Sequence, residues 1–362
     1  MVSLYFHIPF CSKKCPYCHF YVIPNKLNFH ALLEEGLHLE WQQQLGLLQD
    51  KQITSIYFGG GTPTLFGAKN IGTVLSWCKE LQLAPDCEIT IEANPEEATV
   101  ELFSELKAVG INRLSLGVQS LDDRALATLE RTHSAEKAKA ALHAAHAAGL
   151  HNVSIDLMYD LPGQTLSSWQ YTLDQLTDLP FTHLSLYNLT IEPHTSFSKR
   201  KLQLPSAETS VQFLHMALER FQQLGLKRYE ISAFAKPGFR SKHNLGYWQF
   251  RPFLGFGPSA FSYWDGERFQ NVPNLQRYVR QLQAGQSAVG FREKLGAAES
   301  RKERLAVGLR CAEGCSVDGV SAETRGVLEK LVREGLVSED EGGVKLTEKG
   351  MLFYDTVASE IV

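Results

Sequence analysis

Cys11-Ser12-Lys13-Lys14-Cys15-Pro16-Tyr17-Cys18 follows at once on a short β-type run at residues 3–8, and its reading decides the fold. Spacings of four and three on one loop let three thiolates converge on a single point. In a reducing compartment such a cluster points to metal binding or catalysis rather than to disulfides. Three chemistries are open here. A structural zinc site needs a fourth ligand, which His7 or His19 could supply. Cys15-Pro16-Tyr17-Cys18-His19 also fits the c-type heme attachment pattern. That attachment is made outside the cytoplasm, and Met1-Val2-Ser3-Leu4-Tyr5-Phe6-His7 has neither the basic region nor the apolar core of an export signal. The third is an iron–sulfur cluster. Four thiolates usually hold one, so three leave an iron with an open coordination position for a small molecule.

Outward from this loop, β-type runs at 3–8, 53–58, 88–93, 113–118, 153–158 and 183–189 alternate with helical patterns. The helical patterns include 29–48, the Ala-rich 135–148, and 207–224 with Val211, Leu214, Leu218 and Phe221 on one stripe. Gly110, Gly149 and Gly225 fall just past such patterns, where a capping glycine belongs. Most of the β-type runs are nearly continuous apolar stretches, as in strands covered on one or both faces. Six βα units in a row predict an α/β fold with a parallel sheet, which could be a barrel, a partial barrel or an open sheet. Residues 236–300 are rich in Gly, Pro and aromatics and are expected to run as loops with short elements over the rest. A compact tail begins near Glu299. It carries Leu328, Leu331 and Leu336, a charged turn at 338–343, then Val344-Lys345-Leu346-Thr347 and a last helix, the pattern of a winged-helix-like module.

The 362 residues are 44% apolar and 21% charged with a net charge of −4, an ordinary globular composition. Net acidity and the Glu339-Asp340-Glu341 run argue against a nucleic-acid partner and against coating an anionic membrane. No apolar run reaches the ~20 residues of a membrane span, and a cytoplasmic location is expected. Of the seven cysteines, Cys78, Cys87, Cys311 and Cys315 read as bystanders. Further candidates collect at the ends of the β-type runs. Gly59-Gly60-Gly61-Thr62-Pro63-Thr64 follows the second, where glycines permit close backbone approach. Glu92 ends the third, Gln119 the fourth, with Arg131 soon after, and Asp156 lies in the fifth. Each could be a rim residue satisfied by its neighbours, but ligand sites of βα barrels gather at these strand ends.

The CxxxCxxC loop and the GGTP-like stretch resemble the signature of the radical S-adenosylmethionine (SAM) superfamily. The resemblance implies a full or partial βα barrel, a 4Fe–4S cluster on Cys11, Cys15 and Cys18, and SAM on the open iron, cleaved by one electron to a 5′-deoxyadenosyl radical. Over nearly the whole chain, His7-Ile8-Pro9-Phe10-Cys11, Gly117-Val118-Gln119-Ser120, Ile155-Asp156-Leu157-Met158-Tyr159-Asp160-Leu161-Pro162-Gly163-Gln164-Thr165 and Gly255-Phe256-Gly257-Pro258-Ser259-Ala260 resemble the branch that contains the oxygen-independent coproporphyrinogen III oxidase. By that similarity SAM contacts fall on Tyr5, Tyr17, Gly60, Gly61, Thr62, Glu92, Gln119, Arg131 and Asp156, with Thr190 and Phe261 as fainter matches.

Two departures separate the chain from the oxidase. The oxidase carries a fourth cysteine two places after the third, where Phe20 stands here, and a long segment before its cluster, whereas here the first cysteine is already residue 11. Both features are similar to the HemW family of heme chaperones. So is the HNxxYW motif, His243-Asn244-Leu245-Gly246-Tyr247-Trp248, implicated in that family in heme handling. His243 offers an imidazole for iron, and Tyr247 and Trp248 offer flat apolar faces for a porphyrin. The same residues would also suit a loop that packs on the barrel. His19 stands where related sequences carry Asp, and it could tune the cluster or simply pack.

The expectation is therefore a partial (β/α)6 radical-SAM barrel over 1–230, an aromatic and Gly-rich covering segment over 231–298, and a winged-helix-like domain over 299–362. The resemblance implies a chaperone that binds a 4Fe–4S cluster, SAM and heme and passes heme to acceptor hemoproteins, respiratory-chain proteins among them. An oxidase-like radical enzyme acting on a porphyrinogen or another substrate stays open, as does a zinc-stabilised binding protein. Peripheral docking on a membrane complex, and either a monomer or a dimer, are compatible with the sequence.

Overall fold

Strand β1 (Val2–Ile8) carries the rule that builds the molecule: Leu4, Phe6 and Ile8 are fully buried on one face, while Ser3, Tyr5 and His7 point to the other. The same alternation runs through β2 (Gln52–Gly60), β3 (Gln82–Ala93), β4 (Arg113–Gln119), β5 (Val153–Tyr159) and β6 (His183–Asn188). The apolar side chains join one core of 59 residues under the helices. The other face carries Ser55, Tyr57, Glu88, Glu92, Arg113, Ser115, Asp156 and His183. These strands are thus two-faced, unlike the nearly continuous apolar runs expected. Their inner face borders a polar cavity instead of a second hydrophobic layer, so only the outer face has apolar surface to bury.

The computed structural model describes residues 1–362. Strands β1 to β6 pair in parallel in chain order, with Tyr5 opposite Tyr57, Ser55 opposite Glu88, Glu92 opposite Ser115 and Asp156 opposite Ser185. The connections carry α1 (Leu27–Leu48), α2 (Ala68–Cys78), α3 (Val100–Val109), α4 (Asp123–Thr128), α5 (Ala135–Ala147) and α6 (Leu166–Asp174), and α7 (Ala207–Gln223) follows β6. Thr99, Ser134, Thr165 and Ser206 cap α3, α5, α6 and α7 by accepting a backbone N–H of the first turn. The result is the expected partial (β/α)6 barrel.

The segment expected as loops is more ordered than its composition implied. Strands β7 (Lys227–Glu230) and β8 (Ala233–Ala235) extend the sheet beyond β6. Helix α8 (Lys242–Trp248) then passes under the barrel. Strand β9 (Phe253–Phe256) adds to β1 in parallel, and β10 (Phe261–Trp264), β11 (Glu267–Asn271) and β12 (Val289–Lys294) continue antiparallel, with α9 (Leu275–Gln283) between the last two. The twelve-stranded order is β12-β11-β10-β9-β1-β2-β3-β4-β5-β6-β8-β7. The division expected between 1–230 and 231–298 is therefore no boundary. Short antiparallel strands with glycine corners leave too little periodicity to be recognised from sequence.

A second core of eleven buried residues, including Leu305, Leu328, Leu331, Val344 and Ile361, holds the C-terminal unit together. It contains α10 (Ala297–Gly308), α11 (Ala322–Arg333), a hairpin of β13 (Val337–Asp340) and β14 (Gly343–Leu346), α12 (Glu348–Leu352) and α13 (Tyr354–Ile361). Arg310 docks it on the barrel, with its guanidinium 4.3 Å from the Trp248 ring centre and 3.4 Å from Glu230.

Helix α1 joins the barrel to the added strands through a buried carboxylate. Glu40 accepts hydrogen bonds from Gly257 N (2.8 Å), Asn271 Nδ2 (2.6 Å) and Tyr278 Oη (2.6 Å). Gly36, one turn earlier, has no side chain because a Cβ there would lie 2.6 Å from the Tyr278 ring. Glu40→Ala leaves Gly257 N–H and Tyr278 O–H without an acceptor and Asn271 Nδ2 with Gly257 O alone. It is expected to cost about 3 kcal/mol or more, read as a fall in the urea midpoint.

Candidate cofactor and ligand site

The cysteine loop leaves the C-terminal end of β1 and is pinned at both ends. Phe10 and Cys11 pair with Ile23 and Pro24 as a short parallel bridge. Gly61 N donates to Ile8 O (2.9 Å) and Thr62 N to Phe10 O (2.7 Å), which brings the glycine turn after β2 against the loop. A Cβ on Gly61 would sit 2.5 Å from Phe10 O, so only glycine allows this approach. Two donors address sulfur: Arg131 Nη1 lies 3.4 Å from Cys15 Sγ, and Thr62 Oγ1 lies 3.7 Å from Cys11 Sγ. Arg131 is fixed in turn by Asn94 Oδ1 (2.7 Å) and Gly117 O (3.1 Å). Burial pushes the Cys11 thiol up to about 11 and raises that of Cys18.

Behind the loop opens a cavity of about 480 Å³ at the C-terminal ends of the barrel strands. Cys11, Cys15 and Cys18 line it, together with Tyr17, Gly60, Gly61, Glu92, Gln119, Arg131, Asp156 and Thr190. The structure thus brings together eight of the eleven side chains expected to contact SAM. Thr62 instead stands behind the wall, between Cys11 and Asn94. Tyr5 lies one inward residue lower, with its hydroxyl 3.1 Å from His7 Nδ1. Phe261 is 49% exposed on β10 and is not part of the lining. None of these three lines the cavity: Thr62 faces the loop, Tyr5 lies beside His7, and Phe261 projects from an added strand. Ser115 and Tyr187 line the cavity but escaped sequence reading. Strand alternation was the usable signal, since both share a face with Glu92 and Asp156.

The electrostatics of the wall follow from its burial. Glu92 accepts from Tyr57 Oη (2.8 Å) and Gly60 N (3.1 Å), and burial raises its carboxyl to about 7. Burial likewise raises Asp156 to about 6. Gln119 has φ +64° beside a register shift between β4 and β5, a strained conformation that re-aims its side chain into the cavity.

The HNxxYW residues lie elsewhere. Helix α8 plugs the opposite, N-terminal end of the barrel, where Glu88 accepts from the backbone N–H groups of Lys242 and His243, both at 3.0 Å. His243 is 1% exposed, and both ring nitrogens are engaged, Nδ1 with Ser55 Oγ (3.0 Å) and Nε2 with Tyr247 Oη (2.7 Å). Burial lowers it to about 3, so it is neutral. Its ring stacks on Tyr57 at 4.8 Å, and Trp248 faces Arg310. Asn244 lies on the same helix, its backbone N–H capped by Ser241. The heme-facing role expected for His243, Asn244, Tyr247 and Trp248 finds no open ligand position here: both nitrogens of the imidazole are bonded, and none of the four residues lines the cavity.

Comparison with known proteins gives this geometry its family. Residues 5–176 match the radical SAM superfamily, and residues 297–353 match the HemN C-terminal domain. The chain is 32% identical to the heme chaperone HemW of Bacillus subtilis over 99% of this chain and 98% of that protein. It is 38% identical to that of Haemophilus influenzae over 77% and 76%. The chain belongs to the HemW family. The solved coproporphyrinogen III oxidase HemN of Escherichia coli, a radical SAM enzyme, superposes with a TM-score of 0.86 at 27% identity, covering 99% of this chain and 89% of that one.

The radical SAM superfamily match implies a 4Fe–4S cluster and SAM, and the residues present fit both. No three His, Cys, Asp or Glu side chains are gathered tightly enough for a single metal ion. A cube of four irons meets its thiolates at separate corners, so three cysteines spread along one loop suit it better than they suit zinc. Gly60 and Gly61 expose bare backbone, and Glu92, Gln119 and Asp156 offer the polar wall that an amino acid and a ribose require. When bound, the cluster supplies the electron for SAM cleavage. Cys15→Ser is expected to abolish the cluster, read as loss of iron and of broad visible absorption after anaerobic reconstitution.

Glu92 supplies a second expectation. Its carboxyl ionises near 7, and an ammonium ligand favours the ionised form. The ionised fraction climbs about tenfold between about pH 6 and about pH 8. SAM affinity of the cluster-loaded protein should rise in step, measured by equilibrium dialysis, and Glu92→Gln should flatten the rise. A wild-type affinity independent of pH would exclude Glu92 as that contact.

Proposed function

We propose that this protein is a heme chaperone: it carries a 4Fe–4S cluster and SAM, binds heme, and hands heme to acceptor hemoproteins. The observation that carries this reading is the end-to-end correspondence with the heme chaperone of Bacillus subtilis, which leaves neither chain with a large unmatched segment. The chemistry of the site agrees. Cys11, Cys15 and Cys18 would hold the cluster, Arg131 and Thr62 would steady their sulfurs, and Glu92 with Asp156 would orient SAM.

A second reading, radical chemistry on a porphyrinogen, is favoured by the likeness to the oxidase HemN. Against it stands Phe20, at the place where the oxidase signature has a cysteine. One experiment separates them. Anaerobically reconstituted protein is titrated with hemin, desalted, and mixed with an apo-hemoprotein. The chaperone reading expects a Soret band that co-elutes with the protein and then moves to the acceptor. In parallel, coproporphyrinogen with SAM and a reductant is expected to remain unchanged. Failure to bind hemin, or formation of protoporphyrinogen, would overturn the assignment.

A further inference from the structure

We propose that heme binds across the mouth of the cavity, with the imidazole of His19 as an axial ligand to its iron. This rests on the heme-chaperone reading and goes beyond it by assigning a site. Of the chain's twelve histidines, His19 is the one that lines the cavity. It is exposed, its ring lies against that of Phe20 with centres 4.5 Å apart, and no protein group hydrogen-bonds its nitrogens. His243 is its opposite in each respect, buried away from the cavity with both nitrogens bonded.

The sequence pattern points the same way. Cys15-Pro16-Tyr17-Cys18-His19 has the form of a heme attachment motif, in which the histidine ligates iron. Here both of its cysteines belong to the cluster, so thioether bonds to a porphyrin are unavailable. The imidazole is the part of the motif left over, one residue from a cluster ligand and aimed at the same opening.

The surroundings suit a flat, amphipathic dianion. Phe20 is 54% exposed and Tyr187 is 45% exposed, and with the half-buried Val22 they present apolar surface to the cavity. Such rings beside a cavity are a surface that a flat apolar ligand can cover. Lys13 and Lys14 stand at the same rim. Lys13 is paired with Glu130, but the Lys14 ammonium touches only the Phe20 carbonyl oxygen (3.1 Å) and is free to meet a propionate. The cavity's depth is occupied by the sulfur loop and the SAM wall, so a porphyrin lies over it, with its outer face toward solvent. That arrangement fits delivery. An acceptor's ligand approaches the open axial position, a new iron–ligand bond forms, and the iron–His19 bond breaks with no change in oxidation state.

The test uses the full-length, cluster-loaded protein and hemin. Wild type, after reduction with dithionite, is expected to give the iron–histidine stretching band of a five-coordinate ferrous heme by resonance Raman spectroscopy. His19→Ala is expected to lose that signal and bind hemin about tenfold more weakly, with iron and sulfide content unchanged and with added imidazole restoring an iron–imidazole band. Because the variant could disturb the adjacent cluster ligand, wild type is also treated with diethyl pyrocarbonate and mapped by mass spectrometry. Hemin should protect His19 while exposed His143 on α5 reacts equally with and without it. An unchanged signal and affinity in His19→Ala, or equal labelling of His19 with and without hemin, would overturn this site while leaving the chaperone reading intact. No hemin binding by wild type would overturn both.

Discussion

A single buried carboxylate fixes the depth of the barrel. Glu88, 5% exposed, accepts both leading N–H groups of α8 and faces Arg113 at 3.8 Å. A carboxyl group that deep is tolerated only when its oxygens are met by donors, and here the donors come from a helix some 150 residues away in sequence. This interaction closes the N-terminal end of the strands. Upon it rests a vertical series of contacts: Ser55 to His243, the His243 ring on Tyr57, and Tyr57 to Glu92. The polar wall of the ligand cavity is thus set from beneath.

The upper end of the barrel is held differently. There the backbone is strained or glycine-dependent, at Gly61 and Gln119, and the sulfur loop is tied down by main-chain bonds together with the packing of Phe10 and Tyr17. Arg131 links the two regimes, reaching Cys15 on the loop and Gly117 on the sheet. A rigid scaffold carrying a loop of reactive side chains is the usual division of labour in βα barrels. It lets the loop keep one side toward solvent, where His19 and Phe20 lie, while the three thiols face inward.

The added strands and the C-terminal unit complete this plan. Strands β9 to β12 extend the sheet from β1, and Glu40 welds them to α1. Arg310 packs the C-terminal unit on Trp248, so the HNxxYW helix is gripped from both sides. A motif whose aromatic and imidazole groups invite a porphyrin reading is in this chain a buried junction of three structural parts.

Local chemistry made much of this legible. Cysteine spacing, the glycine turn and strand-end polar residues define the cluster loop and the cavity wall, because a converging site needs residue types at strand ends and six βα units supply those ends in order. The inward alternation that sets Ser115 directly opposite Glu92 came from the sheet, since the runs themselves read as nearly continuous apolar stretches. What only the tertiary structure decided is which face of a motif meets which neighbour. His243 reads equally well as a ligand or as a packed residue until the chain folds back beneath the barrel and Ser55, Glu88 and Tyr57 surround it. His19 reads as an incidental substitution until the loop is seen to turn it toward an open mouth. Burial and hydrogen-bond partners are properties of contacts between distant segments, and spacing along the chain does not encode them.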